Sequence, residues 1–327
     1  MRGFESGKEA RARGRLGLPL LLGIAILLSS GGAEASCSGL HFGLLPGAIE
    51  WQGAGAGYYV FDPVDRVQPV TFTVTKVDGT CTYFVTATVE TGGSFEARQM
   101  TGGGRRLVFN VFTNSIKTNP IRDLPVATAN DVITGSFARA GVASNTHQHY
   151  YWIQPRQIAS PGVYSGLVRF KLYQGNQQSN TLVSTSQVQF IANVRPVAEV
   201  SVVDTGAPFD AAKVDRTVNF GSVRKGQRAG FDLKARGNNG FEVTIQSLNG
   251  GVMRHANAHD TSTVPYTLVV GGRQIALTGG SATLAASILA TTSADGLPFP
   301  VEVEIGEFGT ASPGNYTDVL TINVTSK

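Results

Sequence analysis

The sequence predicts an all-β chain of two immunoglobulin-like antiparallel sandwiches, the second lacking its final strand. Three observations lead there. Apolar residues alternate with threonines, as in Val70, Phe72 and Val74 against Thr71, Thr73 and Thr75, the period at which successive side chains leave opposite faces of a strand. The composition, with 40 Gly, 14 Pro, 15% charged and 42% hydrophobic residues, suits turn-rich β structure with real cores better than helix or disorder. Finally, one frame occurs twice. Ala159-Ser160-Pro161-Gly162-Val163-Tyr164 runs into Leu167–Leu172, and Ala311-Ser312-Pro313-Gly314-Asn315-Tyr316 runs into Val319–Val324. After the first copy the chain turns through Gln174–Asn180 into a further alternating segment, Val188–Val194. After the second, the sequence reaches Lys327 with no such segment. The expectation is a trailing sandwich that receives its last strand from another polypeptide.

Residues 1–35 read as an export signal. Basic Arg2, Lys8, Arg11, Arg13 and Arg15 precede the apolar run Leu18–Leu28, and Ala33-Glu34-Ala35 has the small-x-small form of a cleavage site. Glu34 argues against lipidation at Cys37. The net charge of +4 and pI near 9.1 owe much to those five basic residues. The rest shows no basic stripe, so nucleic acid is not an expected partner. The two cysteines, Cys37 and Cys81, pair most naturally with each other in an exported chain. Closing that loop stabilises by roughly 4 kcal/mol in the chain-entropy account.

Residues 36–195 hold the strand candidates Val70–Thr75, Val85–Val89, Leu107–Phe112, His149–Ile153, Leu167–Tyr173 and Gln187–Val194. Residues 196–327 hold Thr217–Phe220, Gly230–Ala235, Phe241–Ser247, Tyr266–Val270, Val301–Ile305 and Tyr316–Val324, while Ala282–Thr291 reads as a helical turn or two. The turns Val77-Asp78-Gly79-Thr80 and Asn238-Asn239-Gly240 sit at matching places in the halves, so the repeat extends beyond one motif.

In the last segment Tyr316, Leu320, Ile322 and Val324 share one face. In the first half Val188, Phe190, Ala192 and Val194 close the equivalent core, and nothing in the second half fills that place. An open apolar edge of this kind is one that natural sheets avoid. A donated strand burying four or five aliphatic side chains gains about 1.5–3 kcal/mol for each, comparable in sum with the stability of a whole domain. The alternative reading is an ordinary edge strand, or Ala198–Val203 folding back as the missing strand.

The stretch Asn114–Gln148 reads as one long connection between strands D and E, and long loops in compact domains are often functional. It carries Ile116, Pro120, Ile121, Leu124, Pro125 and Val126, which form either an exposed apolar contact patch or a loop packed on its own sandwich. A second candidate is Leu44-Leu45-Pro46 with Ile49 and Trp51. Of Tyr150, Tyr151 and Trp152, one face is expected in the core. Catalytic signals are poor. His147 with His149, and His255 with His259, have suggestive spacings but no Cys or carboxylate cluster completes a metal site, so solvated histidines are expected. Gly53–Gly57 does not open a helix as a nucleotide cradle would, and no Gly-x-Ser-x-Gly elbow occurs. No enzyme activity and no cofactor are expected.

The second half contains Val218-Asn219-Phe220-Gly221, Phe241-Glu242-Val243-Thr244-Ile245, Ser247-Leu248-Asn249-Gly250-Gly251, Val264-Pro265-Tyr266-Thr267-Leu268 and Pro313-Gly314-Asn315-Tyr316-Thr317-Asp318. It closely resembles the spore coat protein U domain, which is also the pilin domain of archaic, Csu-type chaperone–usher pili. The first half resembles it more loosely, through Cys81-Thr82-Tyr83, Leu107–Thr113 and Pro161–Tyr173. The resemblance implies export through the periplasm of a Gram-negative bacterium, a periplasmic chaperone that lends a strand, an outer-membrane usher, and completion by the N-terminal donor strand of the next subunit. With cleavage after Ala35 almost no extension precedes Cys37, which implies a subunit that receives but does not donate. That fits a tip adhesin at the cell surface whose first domain meets an apolar or host surface through hydrophobic loops at its far pole. The rivals are a structural spore-coat or extracellular-matrix protein and a secreted carbohydrate-binding module.

Overall fold

The computed structural model describes residues 36–327 except 54, 56, 278–280 and 289–290. The expected signal peptide lies outside the described residues. Nearly all regular structure is β, as the alternation requires. In the first half the principal strands are β1 (Val67–Lys76), β2 (Cys81–Ala87), β3 (Arg98–Gly102), β4 (Arg105–Phe112), β5 (Ile133–Phe137), β6 (Ala143–Ile153), β7 (Gly162–Gly175) and β8 (Asn180–Val194). In the second they are β9 (Ala198–Val203), β10 (Arg228–Gly237), β11 (Phe241–Ser247), β12 (Val252–His255), β13 (Thr263–Val270), β14 (Ser281–Ile288), β15 (Leu297–Ile305), β16 (Tyr316–Thr317) and β17 (Leu320–Ser326).

The two halves share most of their strand order. The first sheet runs β1-β6-β4-β3-β7-β8, with β2 bridging β7 and β5. The second runs β9-β10-β15-β13-β12-β16, beside the three-stranded β14-β11-β17. Thus β1 corresponds to β10, β6 to β15, β4 to β13, β3 to β12, β2 to β11, β5 to β14, and the long β7 to β16 with β17. His41–Phe42 lies on β1 as β9 lies on β10. No described strand corresponds to β8.

Each described strand pairing stays within 37–194 or within 198–326, and each half has its own main core. In the first core Phe109, Tyr151, Phe170 and Phe190 are fully buried. Cys37 and Cys81 are joined across 44 residues, tying the short strand Cys37–Ser38, itself paired with Asp78–Gly79, to β2.

Several expected elements differ. β6 begins at Ala143 rather than His149, and β5 lies inside the supposed D–E loop. Both carry small or polar residues on a half-exposed face, so apolar periodicity does not mark them. Ser281–Ile288 is a strand, not a helical turn, because pairing with β11 overrides the helical propensity of its alanines. Thr217–Phe220 belongs to no sheet; Val218 and Phe220 rest against the second core without a ladder. The last segment breaks at Asp318–Val319, where β16 pairs with β12 and β17 with β11.

The halves meet around the linker. Asn238, fully buried, donates from Nδ2 to the carbonyls of Ala159 (3.1 Å) and Arg195 (2.8 Å), and its Oδ1 accepts from the Val197 amide at 2.7 Å. The Arg236 guanidinium lies 4.2 Å from the Phe61 ring and 3.9 Å from the Phe209 ring, and pairs with Glu199 at 2.7 Å. Glu199 in turn accepts a bond from the Tyr59 hydroxyl.

Candidate functional site

The repeated frame builds the same corner in both halves. The Tyr164 hydroxyl donates to the Ser160 carbonyl at 3.0 Å, and the Tyr316 hydroxyl to the Ser312 carbonyl at 2.7 Å. This tyrosine corner resembles the one that fixes the entry to strand F of immunoglobulin-like sandwiches. Gly162 and Gly314 have φ of +142° and +158°, which a side chain would strain, and a Cβ on Gly314 would also strike the His255 ring.

Beyond the corner the halves diverge. In the first, β7 pairs along its length with β8. Val168, Phe170 and Leu172 are fully buried, and so are Val188, Phe190 and Ala192 of β8, with Val194 1% exposed; Val188 faces Val168, while Phe190 and Ala192 face Gly166 and Tyr164. In the second, β17 pairs with β11 from Ser247↔Leu320 to Phe241↔Ser326, and no described strand is paired to its other edge, although β9 approaches it within 8 Å between Cα atoms. Leu320, Ile322 and Val324 touch the second core but stay partly exposed, while Phe241, Val243 and Ile245 on the paired strand β11 are buried. Ala198 and Val200 of β9 lie in the same half-covered rim. β9 does not supply the missing strand, because its ladder runs to β10. Tyr316, named with these residues, stands apart from the row: its ring packs edge-on against His255 at 5.1 Å, and its hydroxyl is committed to the corner.

The groove has a polar end that the sequence did not signal. Asp318 Oδ2 accepts from Ser247 Oγ at 2.6 Å and from the Tyr266 hydroxyl at 2.5 Å. Its Oδ1 accepts from the amides of Asn249 (3.0 Å) and Val319 (2.8 Å). Burial, then the Asp318 bond, pushes the Tyr266 phenol well above its usual range. The four bonds pin the break between β16 and β17 to the turn after β11 and to β13.

The six residues of the expected contact patch divide between the core and the surface. Pro120 and Ile121 are buried. Ile121 is drawn in by its amide bond to the Val111 carbonyl at 2.9 Å and by Arg98, whose buried guanidinium donates to the carbonyls of Ile121 and Ala87. Desolvation lowers that guanidinium to about 9. Leu124 packs against Phe84, Val132 and Tyr173. Ile116 (73% exposed) and Val126 (51%) face solvent, as does Pro125. They hang from separate anchors, the Thr113–Asn119 turn and the Asp123–Ala127 turn. In the second candidate Ile49 and Trp51 are core residues while Leu44 is exposed. The expectation of solvated histidines fails in the first half. His149 is fully buried among Phe72, Phe170 and Phe190, and His147 lies within 2.7 Å of the Tyr83 hydroxyl. His255 is partly covered and His259 exposed. The described residues hold no cluster of three metal-ligating side chains.

The pole of the first sandwich farthest from the linker is made where β7 ends and β8 begins, together with the turns 77–80 and 138–142. The Gly141 amide donates to Asp78 Oδ1 at 2.5 Å and the Lys76 ammonium to the Gly141 carbonyl, so two of these turns hold each other. Val77 (55% exposed) and Val142 (79%) stand on them. Val77 lies in the tight turn between β1 and β2, and Val142 lies within Asn114–Gln148, just before β6.

No protein-family model matches the chain, and no curated protein matches it. Solved structures do. The chaperone–tip adhesion subunit pre-assembly complex CsuC–CsuE from the archaic chaperone–usher Csu pili of Acinetobacter baumannii is 11% identical, with 89% of this chain and 99% of that chain covered at a TM-score of 0.43. The CupB6 tip adhesin of Pseudomonas aeruginosa is 11% identical over 88% and 94%, at 0.37. CfaE, the adhesive subunit of CFA/I fimbria of enterotoxigenic Escherichia coli, is 12% identical over 88% and 81%, at 0.31.

Proposed function

We propose that this protein is a pilus tip adhesin whose second half, residues 196–327, is assembled by donor-strand complementation and whose first half, residues 36–195, makes the surface contact. The observation that carries the reading is the unequal burial of equivalent residues: Val168, Phe170 and Leu172 are fully buried in a strand paired with both β2 and β8, whereas Leu320, Ile322 and Val324 stay partly exposed in a strand with one paired partner. Pairing an extended strand to that edge supplies backbone bonds along β17 and covers the aliphatic row, which is β-augmentation. A periplasmic chaperone supplies the strand first, and the N-terminal strand of the next subunit replaces it at the outer-membrane usher. The first sandwich, already closed, has nothing to receive, so it occupies the free end of the filament at the cell surface. The resemblance of residues 196–327 to spore coat protein U domains supports the same reading. Replacing Leu320 and Ile322 together by Asp places two carboxylates under the donated strand. Chaperone co-purification is then expected to be lost while the first half remains folded; undiminished co-purification contradicts the proposal.

A further inference from the structure

The internal repeat supplies a template for what the groove accepts. Counted from Tyr164 and Tyr316, Gly166 and Asp318 hold the same place. In the first half Gly166 lies opposite Phe190 of β8, and a Cβ there would come within 2.9 Å of the Phe109 ring and 3.0 Å of Met100. The bare backbone leaves that volume to Phe190, whose ring centroid lies 5.5 Å from Phe109 and 4.8 Å from Tyr151. In the second half Thr317 pairs with Arg254 as Ser165 pairs with Thr101, which brings Met253 to the place of Met100. Tyr266 pairs with Ile305 as Phe109 pairs with Ile153, so Tyr266 takes the place of Phe109. The glycine has become an aspartate and the phenylalanine a tyrosine, and the two are bonded to each other.

We infer that Asp318 selects the donor: the entering strand carries a small side chain (Gly, Ala or Ser) opposite Asp318, next to an aliphatic residue opposite Leu320. This rests on the strand-acceptor reading above. Two physical effects exclude a large apolar side chain. The Asp318 side chain occupies volume that Gly166 leaves open, and overpacking is itself destabilising. A ring laid over the carboxylate would also strip its remaining water and return no hydrogen bond. Opposite Leu320 the template is Val188 facing Val168, both fully buried, so an aliphatic residue fits there. Asp318 therefore serves twice, bracing the empty groove through its four bonds and setting which strand registers in it.

The test uses the chain's own strand. In the repeat Lys327 falls at the place of Gly175, so a second copy of residues 176–194 is fused after Lys327 of the full chain. Three fusions carry Phe, Ala or Ser at the copied position 190, and melting of the second half is followed beside the unfused chain. The Ala and Ser fusions are expected to melt several degrees above the Phe fusion. Asp318→Gly should reverse that order, since it recreates the Gly166–Phe190 pairing. A Phe fusion that melts as high as or higher than the Ala fusion, with Asp318 in place, overturns the inference. Should Asp318→Gly fail to fold, the order among the three parent fusions decides by itself. Equal stabilisation by all three removes Asp318 as selector and leaves the strand-acceptor reading standing, whereas no stabilisation by any of them removes both.

Discussion

His149 shows how much one buried side chain can couple the first half to pH. The imidazole sits among three phenylalanines, and neither ring nitrogen has a hydrogen-bond partner. Desolvation pushes its titration from 6.5 down to about 3. The neutral ring is the folded form. Between those two values the unfolded chain binds a proton that the folded chain refuses, so stability falls as pH falls through that window, by ~1.4 kcal/mol per pH unit from this group. Above pH 6.5 the contribution is flat. Thermal melts from pH 7 to pH 4 are expected to fall less steeply for His149→Leu than for the parent chain; identical slopes would show that His149 stays uncharged for no thermodynamic reason. His147, whose titration burial also lowers, remains in both proteins and does not affect the comparison.

At the scale of the element, the two ends of the chain play opposite parts. Cys37–Ser38 is stapled to the first sandwich, so Cys37→Ser with Cys81→Ser should lower the stability of that half by about 2–5 kcal/mol, read as a lower melting transition. Chaperone capture by the second half should survive, and its loss would mean that the halves fold as one unit. How much of this was legible follows from which faces are apolar. Phe241–Ser247 could be read to the residue because Phe241, Val243 and Ile245 alternate against a single core. The missing place beside β17 was legible from the repeat. Ala143–Gln148 was not, since its covered face carries Asn145 and His147 in place of aliphatics. Ile121 looked like a loop residue because the force that buries it, the Arg98 guanidinium on its carbonyl, comes from a distant strand. Asp318 lay inside a quoted motif, but its partners Ser247, Asn249 and Tyr266 come together only in the folded sandwich.

At the scale of the whole molecule, Asn238 ties the two halves together at the linker. Asn238→Ala would remove its bonds to the carbonyls of Ala159 and Arg195 and from the amide of Val197, at about 1–3 kcal/mol for a buried group left unmade, as the Ala159 carbonyl would be. Because those groups belong to the first half and the linker as well as to the second, the melting of both halves should fall; a drop confined to residues 196–327 would mean that the joint carries no load. At the far pole, Val77→Asp with Val142→Asp should weaken retention of the intact chain on an apolar surface without altering chaperone capture, and unchanged retention would move the contact surface elsewhere. The central claim is that the first sandwich is closed by its own β8 and the second waits for a strand. Hydrogen–deuterium exchange on the purified, uncomplexed chain compares equivalent strands directly. Amides of 320–326 should exchange far faster than those of 168–174 and slow down when a donor strand is bound, whereas equal and slow exchange in both strands of an uncomplexed monomer would contradict the account.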